Sequence, residues 1–446
     1  MKTKTFSLGL IAVALSSIIS TPALAVTLQE AVKQTLATNP DILVETNERL
    51  ARDEERKQAR AGYFPSVDVS AGIGHEWSNN PTTRATLDGE KTEQYTRGEG
   101  AITMRQMLFD GFATSSEVDR QKARVNSQAF RIHGTAQNTA QRAVEVYLEL
   151  LRRERLLALA RENLAAHEKT YDQIKLRSES GVGRKADLDQ IEGRLALART
   201  NVIAEESNLF DAQTNYLRVV GELPKDSLEK PTVGAKMPGS LDLAVEQAVA
   251  NHPTLQSAEA DVEATRAQHR AAKHRFYPRF DLELSRTWDN ELDGVDGTNE
   301  EEQIMVRMRW NIFNGGRDYA RRKQTAHLIN EASEVRNGTR RQVVESIRLS
   351  WNAYEATRTQ LTYRKQHLES SRKTRDAYTK QFNIGQRTLL DLLDSENELF
   401  EAGRAYVNAD TDNLFSQYRI LTGTGTLIES LGLSLPEEAS LHSSNQ

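Results

Sequence analysis

The chain has 446 residues, of which 27% are charged, 38% hydrophobic and 6% aromatic, and its mean hydropathy is -0.61. A chain this polar cannot fill one large compact core, and the near balance of 58 Lys and Arg against 63 Asp and Glu excludes the general basic footprint of a nucleic-acid binder. The absence of cysteine removes disulfides, thiolate metal sites and a lipid-bearing N-terminal Cys.

Residues 1–25 have the grammar of a secretory signal peptide. Lys2 and Lys4 precede an uncharged apolar run from Phe6 to about Ile19, and Ala23-Leu24-Ala25 forms a small-residue cleavage site. The mature protein is expected to start near Val26. No later stretch reaches the roughly 20 apolar residues of a membrane helix, so any passage through a membrane must be by a closed β-barrel.

Residues 26–222 and 241–423 then spell one module twice, joined by a linker at 223–240 that carries Pro224, Pro231 and Pro238 and followed by a tail at 424–446. Leu28-Gln29-Glu30-Ala31-Val32-Lys33-Gln34 with Pro40 recurs as Leu241-Asp242-Leu243-Ala244-Val245-Glu246-Gln247 with Pro253. The offset of 213 holds without a gap from Pro40 and Pro253 to Pro65 and Pro278. Leu108-Phe109-Asp110-Gly111 answers Ile312-Phe313-Asn314-Gly315 at 204, and Tyr216 to Gly221 matches Tyr418 to Gly423 at 202.

Each copy opens with a charged, Ala-rich stretch predicted as helix (28–60 and 241–274), which Pro65 or Pro278 stops. The period then changes to two. Val67, Val69, Ala71, Ile73 and Trp77 alternate with polar residues and glycine, and Phe280, Leu282, Leu284 and Trp288 alternate with Asp281, Glu283, Ser285 and Thr287, so strands are predicted at 66–78 and 279–288. Returning strands are predicted at 98–109 and 303–313, the second carrying Ile304, Val306, Met308, Trp310 and Ile312. Beyond them, two proline-free helices run from Phe112 to about Arg177 and from Arg317 to about Phe382. Ala136, Ala143, Leu150, Leu157 and Leu164 recur every seven residues, as do Ile347, Tyr354, Leu361 and Leu368, which is coiled-coil spacing. Shorter partner helices carry Leu188, Leu195, Val202 and Leu209, and Leu393, Phe400, Val407 and Leu414.

Four short strands cannot seal a barrel, because the smallest membrane barrels use about eight and an open edge in hydrocarbon is costly. Other copies must supply the rest; two would give eight strands and three twelve. On the second hairpin the even, apolar positions would meet lipid, while Asp281, Glu283, Arg307 and Arg309 would face a wet bore. Tyr63, Phe64, Phe109, Phe276, Tyr277 and Phe313 gather at the helix-proximal strand ends and Trp77 and Trp288 at the far ends, as interfacial girdles do. The competing expectation is a soluble antiparallel sheet on a helical domain.

The doubled order of helix, hairpin, long helix and short helix, with Gly385-Gln386-Arg387-Thr388-Leu389-Leu390-Asp391-Leu392-Leu393-Asp394 between the second pair, resembles the TolC family of outer-membrane efflux and secretion proteins over essentially the whole mature chain. That resemblance implies a mainly α-helical fold with a membrane β-barrel: a homotrimer with twelve strands in outer-membrane lipid and a periplasmic α-barrel of antiparallel coiled coils. It also implies a tip that docks a periplasmic adaptor (membrane fusion) protein bound to an inner-membrane export pump, ABC-type or other. With no Cys to lipidate, the chain looks more like the type I secretion branch than the drug or metal efflux branch.

By the same resemblance, Asp391 and Asp394 would form an acidic constriction and Arg387 would bond across to the neighbouring helix pair. Locally, Thr388 and Asp391 also fit a capping box, and acids suit a helix start. In the first half, counting from Gly181 in Gly181-Val182-Gly183-Arg184 puts Asp187 at the latch acid, whereas the offset of 202 pairs Asp189 with Asp391. Phe382 stands where the best-known member of that family carries a tyrosine, so a hydroxyl-mediated latch is absent there. Gly181, Gly183 and Gly385 mark the tip turns.

No enzyme is expected, since no nucleophile elbow, phosphate loop or paired-carboxylate cleft occurs, and no cofactor or metal is expected either. The glycines at 181–183 follow a helix rather than a strand, so they are no dinucleotide fingerprint. Asp289-Asn290-Glu291-Leu292-Asp293-Gly294 with Glu300 nearly spells a Ca²⁺ loop but lies between two strands, and reads as a solvated acidic loop. The rival from another class is a soluble periplasmic coiled-coil adaptor. The cargo is not written in the sequence.

Overall fold

The computed structural model describes residues 27–86, 92–233 and 237–441. The expected signal peptide lies outside them, as do parts of the linker and tail.

The first helical stretch is two helices, not one. α1 (Leu28–Thr38) starts at a capping box in which the Glu30 amide donates to Thr27 Oγ1 at 3.2 Å and the Thr27 amide to Glu30 Oε2 at 2.9 Å. α2 (Pro40–Ala61) starts afresh because Asn39 is extended and caps it, its Oδ1 accepting from the Asp41 amide at 3.0 Å, while Pro40 has no amide to offer α1. The second copy breaks at the matching place, His252-Pro253, where His252 is extended but provides no side-chain cap.

Two hairpins follow from the proline stops. β1 (Ser66–Ser78) and β2 (Glu93–Phe109) flank a short helix α3 (Pro81–Thr86). The sheet order is β1-β2-β3-β4, antiparallel throughout, with β3 at Arg279–Asn290 and β4 at Thr298–Arg309. Pairing moves the expected bounds. β2 starts before residue 98 because β1 offers partners out to Ser78, and β4 lies at 298–309 rather than 303–313 because its one neighbour, β3, begins only after Pro278. Trp310 to Phe313 therefore leave the ladder although they keep the alternation.

α4 (Ala113–Glu179) and α8 (Arg317–Asn383) each have 67 residues, about 100 Å of helix at 1.5 Å per residue. A tight corner feeds α4: Gly111 has φ +67°, and a Cβ there would stand 2.7 Å from the His274 carbonyl oxygen. The partner helices are α5 (Lys185–Val220) and α9 (Leu389–Gly423); α6 (Leu241–Asn251) and α7 (Pro253–Ala271) open the second copy, and α10 (Leu427–Ser430) ends the helical part. Above the middle the helices lie side by side as α2, α4, α7, α8; below it they lie as α5, α4, α9, α8. α4 is interior at both levels and buried on most sides, while α8 is an edge with Tyr319, Val335, Leu349 and Tyr363 exposed. Among the described residues no helix is long and apolar enough to cross a membrane.

The main core is a belt around the middle of α4. Ala136, Ala140, Val144, Tyr147 and Leu150 meet Leu28 and Val32 of α1, Tyr216 and Val220 of α5, and Tyr418, Leu427 and Ile428 from the end of the second copy. The linker is strapped over it, with Tyr147 Oη donating to the Glu229 carbonyl at 2.7 Å. Burial pushes the Tyr216 and Tyr418 hydroxyls up to about 12, so both stay neutral in the belt. Asp410 binds Lys230 at 2.8 Å and Arg155 at 2.7 Å.

Burial alone would raise the Asp410 carboxyl, but bonds from Lys230 and Arg155 outweigh it and hold the group below the usual carboxylate range. Its stabilisation is thus present above the unfolded value, about 3.9, and disappears as pH falls through the lower folded value. We expect Asp410→Asn to lower stability by about 1.5–3 kcal/mol at pH 7 and to match the parent once both are acidified below that value, read by thermal melts in detergent.

Candidate functional site

Two places carry the polar groups that a conduit would use: one face of the sheet and the far tip of the long helices. Strand residues alternate between faces, and the register puts even residues of β1 with odd residues of β2, β3 and β4. One face therefore presents Val67, Val69, Ile73, Ile102, Ile304, Val306 and Met308, all more than 40% exposed in the isolated chain. The other face holds an ion-pair lattice. Arg307 reaches Glu283 at 2.6 Å and Arg105 reaches it at 3.2 Å, while Arg279 and Arg309 bracket Asp281 at 3.0 and 3.4 Å. Asp281 is fully covered by these arginines, so it neutralises them rather than meeting solvent as the alternation suggests.

At the helix-proximal end of the sheet the aromatics interlock. Phe109 and Phe112 stand edge to face at 5.5 Å, Phe112 and Tyr277 at 6.1 Å, and Phe276 and Tyr319 at 5.4 Å. Phe64, Trp310 and Phe313 remain exposed at the same level. Such a band is the composition of a membrane interface.

At the opposite end each long helix turns through a left-handed glycine, Gly181 (φ +74°) and Gly385 (φ +77°), an offset of 204. The amides of Val182 and Gly183 fold back onto the Arg177 carbonyl, and that of Gln386 onto Gln381. Gly183 has no room for a side chain, since a Cβ would sit 2.8 Å from the Ser178 nitrogen. α5 and α9 both begin four residues after these glycines, which makes Asp187 and Asp391 the third residue of their helices; geometrically Asp187, not Asp189, is the counterpart of Asp391. The glycines that end these helices, Gly221 and Gly425, are also left-handed and 204 apart, so the 202 match of Tyr216 with Tyr418 is a local slide of sequence.

Thr388 and Asp391 form the capping box, the Thr388 amide donating to Asp391 Oδ2 at 3.2 Å and the Asp391 amide to Thr388 Oγ1 at 3.2 Å. These bonds from Thr388, with Arg387 nearby, hold the Asp391 carboxyl below its ordinary range. Asp394, one turn on, is exposed and accepts from Arg194 of α5 at 3.0 Å. Arg387 turns back on its own hairpin. Its Nε donates to Gln381 at 3.0 Å, and its guanidinium lies 4.2 Å above the Tyr378 ring and 3.9 Å from Asp391. Within one chain Arg387 is not paired with Asp187; next to the tip turns it is Arg194 with Asp394 that links the two hairpins. Arg194 was not singled out from the sequence, because nothing in its local pattern marks its partner 200 residues away.

Phe382 is buried among Ile174, Ile191, Leu389, Leu392 and Leu393, with the Arg177 guanidinium 5.3 Å over its ring. This cluster glues the two tips together. Among the described residues no group of three or more His, Asp and Glu is gathered as a metal site.

A family model described as Outer membrane efflux protein matches residues 31–222 and 244–426. The outer membrane efflux protein BepC of Brucella suis is 27% identical over 87% of this chain and 84% of its own length. The alkaline protease secretion protein AprF of Pseudomonas aeruginosa is 22% identical over 88% and 83%, and the outer membrane protein TolC of Vibrio cholerae 23% over 90% and 91%. Among solved structures, CusC superposes with a TM-score of 0.77 at 14% identity over 89% of this chain and 91% of that one. The channel OprN does so with 0.76 at 18% over 90% of each.

Because Phe382 contributes to the packing of both hairpins, we expect Phe382→Ala to cost about 3–5 kcal/mol locally and to speed amide exchange on both sides of Gly181 and Gly385, with the α4 belt unchanged. Equal exchange in both tips before and after the substitution would show that the cluster does not couple them.

Proposed function

We propose that this chain, which belongs to the outer membrane efflux protein family, pools its open edges with two further copies into one continuous duct and passes cargo through it from an adaptor and an inner-membrane pump. It is a passive outer-membrane channel and not an enzyme. The observation that carries the pooled-barrel reading is that every layer ends on the same two sides: β1, α2 and α5 on one, β4 and α8 on the other; the number three follows the family resemblance. A repeated side-by-side contact would close the strand ladder and both helix layers together. Three copies supply twelve strands, within the even-numbered range of bacterial barrels, and twelve helices at each level.

In that assembly the apolar sheet face meets lipid, the ion-pair lattice lines the bore, and the tips converge at the periplasmic end. Asp391 and Asp394 then form the acidic constriction, and Arg387 and Asp187 hold neighbouring hairpins closed until an adaptor engages them. Arg387 is already fixed by Gln381 and Tyr378, so its guanidinium is presented in one orientation. Type I secretion of protein, with an ABC-type pump, is the reading favoured by the lack of any Cys for lipidation and by the likeness to AprF. Efflux is favoured by the higher identity with the efflux protein BepC.

In planar bilayers, Arg387→Ser with Asp187→Ala should raise single-channel conductance by about twofold or more, and Asp391→Asn with Asp394→Asn should weaken cation selectivity and block by multivalent cations. Unchanged conductance and selectivity would sink the gate assignment. Deleting the gene separates the two cargo readings: loss of a protein from the culture medium supports secretion, and increased drug susceptibility with an unchanged secretome supports efflux.

A further inference from the structure

The two hairpins are joined at their far ends by a contact to which the tip and the aromatic band contribute nothing. The loop that follows β3 leans back across β2 onto the first hairpin. Asn80 Nδ2 donates to the Asp293 carbonyl at 2.6 Å, Tyr95 Oη to the Gly294 carbonyl at 3.3 Å, and the Thr96 amide to Glu291 Oε2 at 2.6 Å. Arg97, paired with Glu76 at 3.0 Å, also lies 3.7 Å from Asp293. The fit is close: Gly294 has φ +81°, and a Cβ on it would stand 2.4 Å from Thr83 Cγ2. Glu291 and Asp293 also take positive φ, 51° and 54°, a conformation that non-glycine residues adopt only when surrounding contacts hold them. Thr83 is fully buried, and Ser78 and Tyr95 nearly so, on a rim where β1 is otherwise exposed.

The side of the sheet on which this happens follows from the register. Glu76, Tyr95 and Arg97 lie on the face of Glu283 and Arg307, opposite Val69 and Ile304. If the apolar face meets lipid, the loop and α3 lie over the bore. We infer that this clasp is a constriction at the outer mouth, one per chain, which bars bulky solutes from entering the barrel from outside and yields when cargo leaves. The inference rests on the pooled-barrel reading. It assigns Asn80, Tyr95, Glu291, Asp293 and Gly294 a part in selectivity that is separate from the periplasmic tip. A few hydrogen bonds at a wet rim can hold such a loop in place and still release it reversibly.

The chain lacks cysteine, so Ser70→Cys, on the bore face eight residues deeper than Ser78, is a single reporter. Intact cells carrying the full chain are treated from outside with a small membrane-impermeant maleimide and with a bulky polyethylene-glycol maleimide. The small reagent should label Ser70→Cys in every background. The bulky one should label it slowly, and about tenfold or more faster when Asn80→Ala and Tyr95→Phe are added, or when Gly294→Val is added, with the detergent-resistant oligomer retained. Equal bulky labelling with and without the clasp substitutions overturns the constriction. If even the small reagent fails to reach Ser70→Cys in any background, the bore assignment fails and the clasp falls with it.

Discussion

Backbone amides and carbonyls at the edge of a sheet cannot be left unpaired in hydrocarbon, at several kcal/mol for each group. This chain ends its only sheet, among the described residues, on two such edges, β1 and β4. Its other features are consistent with that constraint. The exposed apolar rows on one face have no partner in the chain, the opposite face compensates its own charges, and the helix layers end on the same two sides as the sheet. In the proposed assembly a repeated lateral contact between identical copies would pair both sheet edges and continue both helix layers, and lipid would cover the apolar rows.

The division of labour within the chain follows from where α4 lies. Interior at both levels, it carries the belt that holds α1, α5, α9 and the linker. α8 has the same length and reads equally helical, yet it buries few side chains because it is a boundary. Sequence duplication therefore does not imply structural equivalence: one copy's long helix became a spine and the other's an edge. The two tips diverge similarly. Thr388 caps α9 while Arg184, in the matching place, provides no side-chain cap for α5, and Gly183 stands where the second copy has Arg387.

Charge is partitioned with equal economy. Glu283 and Asp281 are surrounded by Arg105, Arg279, Arg307 and Arg309, so the middle of the bore face is a paired lattice rather than a field of one sign. Further acids stand at the two ends, each with a lighter set of partners: Asp391 with Thr388 and Arg387 and Asp394 with Arg194 at the tip, and Asp293 near Arg97 in the loop at the outer rim. Fixed charges at constrictions act on passing ions far more than the same charges spread along a wide wall.

Much of the fold could be read from local rules. Periods of two and seven, the proline stops and the doubled register mark the strands and helices because those patterns follow from backbone geometry over a few residues. The Asn39-Pro40 break has the local form of a cap followed by a helix-starting proline, which the charged, Ala-rich composition of 28–60 masks. The bounds of β4 were not legible, since Trp310 and Ile312 keep the alternation and only the start of β3 after Pro278 ends the pairing. Nor could the sequence place Arg387, whose choice of Gln381 and Tyr378 over Asp187 depends on the turn at Gly385, or reveal Arg194 and the clasp of Asn80 on Asp293.

By itself, then, the sequence determined the element types, the two-faced hairpins and the glycine turns of the tip, and it exposed a sheet with too few strands to close alone, because periodicity and residue chemistry are short-range. The tertiary structure decided which helix is spine and which is edge, which acid of the first tip matches Asp391, and which side of the sheet the outer loop covers. The choice of spine and edge and the placing of the outer loop are set by contacts between residues as much as 200 or more positions apart, which no local pattern encodes, whereas Asp187 follows from the start of α5 four residues after Gly181.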